Sequence, residues 1–199
     1  MYSWIAIFSV VLIWSGIEPK DSLTWFLEVA PALIGVAVLV LTYRSFRLTP
    51  LVYVLILIHC VILMVGAHYT YAEVPLFDEL KTWLDLERNN YDKLGHFAQG
   101  FVPAMIAREI IIRKEIIKGA VWQFFFIVSF CLGFSAFYEL IEWWVAIAVG
   151  ESAEAFLGTQ GYIWDTQSDM AFALIGAVIA LITLRKVHDK QLRKIGTSS

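Results

Sequence analysis

Long apolar runs separated by short charged connections organise the chain. Six runs stand out, at about 2–17, 22–43, 48–72, 92–112, 120–149 and 166–184. About 20 apolar residues, rising 1.5 Å apiece, cross the roughly 30 Å of bilayer hydrocarbon, so these runs read as transmembrane helices. The pattern predicts an all-α polytopic membrane protein: a single integral-membrane domain over 1–199, folded as a bundle of about six spans. The fifth run, 30 residues long, is expected to tilt or to project past the headgroups. The first is short, but "MYSWIAIFSVVLIWSGI" lacks a basic flank and a small-x-small cleavage site, so it is expected to be a span and not a cleaved signal. In "PLFDELKTWLDL" the apolar positions Leu76, Phe77, Leu80, Trp83 and Leu84 recur every three to four residues, which predicts a short helix lying in the interface.

Charge alternates between the connections. Eleven of the fifteen Lys and Arg residues lie in "TYRSFR", "AREIIIRKEIIKG" and "LRKVHDKQLRK", whereas "EPKDS", "AEVPLFDELKTWLDLERNNY" and "GESAEAFLGTQGYIW" are acidic. The positive-inside rule therefore predicts both termini in the cytoplasm and the acidic connections outside, facing the periplasm of a bacterial inner membrane. Trp83, Trp143, Trp144 and Trp164 fall near the outer ends and Trp4 and Trp122 near the inner ends, as an aromatic belt requires.

Composition agrees. Apolar residues make up 59% and mean hydropathy is +0.70, above the roughly half-apolar usage of soluble domains. A net charge of −3 argues against nucleic acid as a partner, since such proteins cluster Lys and Arg on one face. Cys60 and Cys131 each sit inside an apolar run and read as small core residues, not a disulfide.

Against this apolar background the polar residues inside the spans carry the information. An ionisable side chain in a span costs about 2.5–3.5 kcal/mol on insertion scales and faces a partner or a wet cavity. "NNYDKLGHFAQGF" places Asp92, His96 and Gln99 at i, i+4 and i+7, on one helix face. "FYELIEWW" places Glu139 and Glu142 on one face, with Ser135 a turn earlier, and "WDTQSDM" does the same for Asp165 and Asp169. His68 ends the third span. At 1.5 Å per residue His96 lies roughly 6 Å deeper than Asp92, and Glu139 and Glu142 roughly 15 and 10 Å below Val149. The predicted topology puts all of these in the outer half of the bilayer, and their joint cost is removed if they converge on one hydrated crevice.

Structural readings compete at several positions. Asp92 can cap the fourth span, and Thr166 to Asp169 matches a capping box. Gly158 and Gly161 suit a tight turn, His59 a packed core, and Tyr69, Tyr71 and Tyr138 a belt. Glu139, Glu142 and His96 fit none of these. With Lys93 and Arg88 as the nearby cations, the acids outnumber the bases, and carboxylates with imidazoles suit a divalent ion such as Zn²⁺, Mn²⁺ or Fe²⁺; failing that, some carboxyls stay protonated.

"YDKLGHFAQGF", "YELIEWW" and "GTQGYIWDTQSDM", with six short spans in about 200 residues, resemble the YjdF-like family of bacterial inner-membrane proteins over nearly the whole chain. The resemblance implies localisation and topology, not a reaction. "DKLGHF" also resembles the Asp-Lys-x-x-His-Phe element of VanZ-like proteins over six residues. The function expected is a metal-assisted enzyme, a hydrolase or transferase on a lipid or lipid-linked substrate reached from the outer leaflet. His68, His96, Asp165 and Asp169 are the metal-ligand candidates; Glu139, Glu142 and Asp92 are the catalytic candidates. A transporter and a scaffold binding lipid or ion without chemistry are the alternatives.

Overall fold

A computed structural model describes residues 2–150, 154–157 and 159–196. Among these residues the chain is helical: α1 (Tyr2–Ser15), α2 (Ser22–Thr42), α3 (Pro50–Tyr69), α4 (Pro75–Trp83), α5 (Tyr91–Arg113), α6 (Ala120–Val149), α7 (Glu154–Leu157), α8 (Asp165–Thr183) and α9 (Arg185–Gly196). Four helices, α2, α3, α6 and α8, are long and apolar enough to cross a membrane. The expected first span is a 14-residue helix, roughly 21 Å long. The expected fourth span, α5, has the length but carries buried Lys93, His96, Arg108 and Glu109; it lies among other helices, where polar groups find partners.

Local chemistry explains where helices start. The Asp21 carboxylate accepts from the Thr24 N–H at 2.7 Å and caps α2; this hydrogen bond holds the carboxyl below the usual aspartate range. Pro50 opens α3, a position where the missing N–H costs nothing. Along α3, Val52, Ile56, Cys60 and Met64 recur every four residues and form a buried stripe. That stripe packs with Phe8 of α1, Ala32 of α2, Met105 of α5, Cys131 of α6 and Ala177 of α8 in one core. Both cysteines are free and buried. On α6 the other faces expose Phe125, Phe126, Phe130, Phe137 and Trp144, an apolar surface suited to lipid.

The closest helix pair is α5 with α8. A Cβ built on Gly100 would run into the Ala173 carbonyl, and one on Gly176 into the Phe97 carbonyl. Bare glycines on both helices, with Ala173, Ala177 and Ala180 fully buried beside them, let the backbones touch, as small residues do in membrane bundles.

At the far end of α5 the basic tail is not a plain connection. It forms α9, and His188, fully buried, brings Nε2 to 3.1 Å from Glu109 Oε2 and Nδ1 to 2.8 Å from Arg108 Nη1. Because Arg108 can only donate, Nδ1 accepts and Nε2 carries the proton given to Glu109. Glu109 also accepts from the Thr49 N–H and hydroxyl ahead of α3 and from Arg113, while Gln191 accepts from the Leu51 N–H. One polar clamp thus joins α3, α5 and α9. None of the candidate site residues lies at this end, where a tail rich in Lys and Arg hides a buried histidine.

Two finer expectations change. The α8 helix starts at Asp165 and has no side-chain cap, so Thr166 and Asp169 form no capping box. The α5 helix has Asn90 at its N-cap position without a side-chain bond, and Asp92, in the first turn, pairs with side chains instead. Gly161 has φ of +80° in a turn closed by Tyr162 N–H to the Thr159 carbonyl, as expected; Gly158 lies outside the described residues. The expected interfacial helix is α4, with Phe77 packed edge-on against Tyr91 at 5.0 Å.

Two outcomes are expected from thermal unfolding in detergent. Gly100→Ala lowers the midpoint, the overpacking costing about 1–3 kcal/mol, while Gly133→Ala, where a Cβ meets nothing within 4 Å, is neutral or stabilising. Asp21→Ala costs about 1 kcal/mol at neutral pH. Since the folded pKa is depressed, that difference narrows as pH falls through the ordinary aspartate value of 3.8 and below.

Candidate functional site

Where α5, α6 and α8 meet, six carboxyls gather: Glu28 from α2, Asp92 from α5, Glu139 and Glu142 from α6, and Asp165 and Asp169 from α8. Glu28, Glu139, Asp165 and Asp169 are buried. The α5–α8 contact brings the first turns of those two helices together, so residues 70 to 80 positions apart face one another.

Lys93 is the central cation. Its Nζ donates to Asp165 Oδ1 at 2.7 Å and to Asp169 Oδ1 at 2.6 Å, and lies 3.5 Å from Asp92 Oδ2. Arg88 donates to Asp165 Oδ1 at 2.5 Å and to the Thr159 carbonyl, and reaches Asp92 Oδ2 at 3.6 Å. The Tyr162 ring covers both cations, at 5.5 and 5.8 Å. The two cations that the sequence placed near the acids, Lys93 and Arg88, are thus buried within the cluster. Asp165 is taken up by both of them and is thereby an anchor for Lys93 more than a free ligand.

His96 stands at the centre of what remains. Its Nδ1 lies 3.1 Å from Gln99 Oε1. Its Nε2 faces three carboxylate oxygens, Asp92 Oδ1 at 3.4 Å, Glu139 Oε1 at 3.8 Å and Asp169 Oδ1 at 3.9 Å. These separations exceed the about 2.7–2.9 Å of a charge-assisted hydrogen bond. In the tautomer that donates Nδ1–H to Gln99, the Nε2 lone pair faces these carboxyl oxygens, an arrangement relieved by a proton or a cation between them. Ligands about 2.1 Å from a tetrahedral ion lie roughly 3.4 Å apart, close to the spacings found. Asp92, His96 and Asp169 can each offer one ligand atom, all within 4.8 Å of one another. Glu139 Oε1, buried, has no hydrogen-bond partner and is aimed at the same point.

Among the sequence candidates, Asp92, His96, Asp169 and Glu139 therefore come together, and Glu142 lines the adjoining cavity. His68 does not join them. Its Nδ1 lies 3.1 Å from the Ser15 carbonyl and its ring packs against Trp14 at 4.6 Å, so it ties α3 to α1 and is withdrawn from the metal set. A histidine at a helix end can be placed along the axis from sequence, but not by azimuth.

Two participants were missed. Glu28 is hydrogen-bonded by the Tyr138 hydroxyl at 3.4 Å, and Tyr71 lines the same space. Glu28 was findable, since it is a lone glutamate in an apolar 21-residue helix, the same signal that exposed Glu139. Tyr71 carried no such mark. It is buried with its hydroxyl unpartnered and follows the left-handed turn at Thr70.

A cavity of about 510 Å³ opens from this cluster and runs between α2, α3, α5 and α6. Glu28, Tyr71, Asp92, His96, Gln99 and Glu142 line its polar end. The rest of its wall is mostly apolar. His59 borders it midway, with Nε2 buried and unpartnered.

The chain is 52% identical over 188 residues to the inner membrane protein YjdF of Escherichia coli (strain K12), covering 94% of this chain and 90% of that protein. No solved structure matches. Residues 1–190 match the family described as "Predicted membrane protein (DUF2238)". With the family covering nearly every helix described above, the chain belongs to the DUF2238 family of inner-membrane proteins.

Proposed function

We propose that the chain is a metal-assisted enzyme of the inner membrane, acting on a lipid or lipid-linked substrate at the end of the bundle where Asp92, His96 and Asp169 converge. The positive-inside pattern assigns that end to the periplasmic side and both termini to the cytoplasm. The observation that carries the reading is the single point faced by His96 Nε2, two aspartates and the unpartnered Glu139 Oε1.

In this reading Asp92, His96 and Asp169 hold a divalent ion, Zn²⁺, Mn²⁺ or Fe²⁺. Bound there, such an ion supplies a Lewis acid and an acidified water for hydrolysis or transfer. Lys93, hydrogen-bonded to Asp169, fixes the carboxylate that faces the ion, the part outer partners play in metal sites. Gln99 sets the His96 tautomer. Glu139 takes a proton from a nucleophile at the centre of the cluster, and Glu142, on the same α6 face and lining the cavity, sits where a substrate would enter.

A second reading, lipid or ion binding without chemistry, is favoured by Lys93 and Arg88, which already balance two of the carboxylates. Ion transport is less well supported, because between the polar cluster and the α9 clamp the cavity wall is apolar apart from residues such as His59 and Cys60.

Protein purified in mild detergent without chelator is expected to carry about one divalent ion per chain by elemental analysis. His96→Ala and Asp169→Asn lose it, and Glu142→Gln keeps it. Because the ligands bind metal in their deprotonated forms, occupancy falls as pH is lowered. Metal-free protein that fails to take up any of the three ions on addition would remove the reading. Glu139→Gln separates enzyme from binder: activity on a substrate drops by about 10²–10⁴ if a proton acceptor is lost, whereas a binding protein retains its ligand.

A further inference from the structure

The cavity is a groove with a definite length. On α2 its wall runs from Glu28 through Gly35 to Thr42, and on α5 from Gly95 through Val102 to Ile110. Steps of seven or eight residues keep these positions on one face of each helix, and 14 to 15 residues at 1.5 Å give roughly 21–22 Å. One leaflet supplies only about half of the roughly 30 Å hydrocarbon thickness, so the groove passes the midplane. A cavity volume of about 510 Å³ lies along that length.

Its construction keeps it open. A Cβ on Gly35 would meet nothing within 4 Å, so no side chain fills the groove there. Pro31 on α2 and Pro103 on α5 both line it; each lacks the N–H that would bond the carbonyl four residues earlier, which disfavours straight, tightly apposed helices. Val38 and Phe134 line the groove and are also exposed on the protein's surface, so it opens sideways toward lipid.

We infer that the groove holds a polyisoprenyl chain carrying a phosphate or pyrophosphate ester, with the ester at the Asp92–His96 end. The length argument favours this class. An acyl chain anchored in the outer leaflet ends near the midplane, whereas a polyisoprenyl chain continues beyond it. The charge argument concerns the head and rests on the metal reading given under Proposed function. An acidic cluster repels an ester phosphate, but a divalent ion held by Asp92, His96 and Asp169 bridges the two. The apolar wall beyond the cluster takes the chain itself.

The test uses full-length protein in nanodiscs and three probes: a C55 polyisoprenyl phosphate, farnesyl phosphate, and dioleoyl phosphatidylglycerol. The C55 probe is expected to bind at least about tenfold tighter than either other, given about 0.8 kcal/mol per buried methylene. Gly35→Leu, which fills open space and leaves the fold intact, removes that preference. The C55 polyisoprenol in place of the phosphate separates the two claims. In His96→Ala the phosphate loses its advantage over the alcohol while both keep their length dependence; if the metal reading alone is wrong, the wild type shows no phosphate advantage and length dependence persists. Equal binding of farnesyl and C55 probes, an equal or better fit of phosphatidylglycerol, or an unchanged preference in Gly35→Leu overturns the inference.

Discussion

The contact between α5 and α8 is the constraint on which the rest depends. Gly100 and Gly176 each face a backbone carbonyl of the other helix with no room for a methyl group. Crossing at that distance, the helices bring their first turns together. Lys93 then lies between Asp165 and Asp169, and His96 is carried to the carboxylates of α6 and α8. A wider crossing would leave each of these side chains in hydrocarbon without a partner, at several kcal/mol apiece.

Electrostatic balance follows from that geometry. Six carboxyls face Lys93, Arg88 and the imidazole of His96, so the fixed cations neutralise only part of the cluster. Asp165 is held by both fixed cations, which leaves Asp92, Asp169 and Glu139 around the free edge of the imidazole. The surplus of negative charge is compensated by protons or by a bound cation, and the spacing of ligand atoms around His96 Nε2 is what gives the second solution its weight. The same residues cap the apolar groove, so charge and hydrocarbon surface share one entrance.

The opposite end is organised differently. There Glu109 accepts from Thr49, Arg113 and His188, and Arg108 reaches His188 and Asp189, so acid and base are paired within one network. Nothing in that clamp parallels the unpartnered Glu139 oxygen. Satisfied polar networks rigidify, and this one fixes α9 and the start of α3 beneath the groove, whereas the Asp92 end keeps unsatisfied groups aimed into open space.

What the sequence settled by itself was everything carried by one helix at a time. Apolar run length gave the helices to within a few residues, and i, i+3 and i, i+4 spacing put Asp92 with His96 and Glu139 with Glu142, because helical periodicity is local. Position along each helix was legible too, since rise per residue converts sequence separation into distance along the axis. Rotation about that axis was not. His68 shares the depth of the cluster yet turns to Ser15 and Trp14, Glu28 turns inward from α2, and Arg88 and His188, each in a stretch that reads as connection or tail, are buried as partners of acids. Only packing decides azimuth, because it depends on which small residues let two backbones meet, and the glycines at 100 and 176 show their consequence only when both helices are in place.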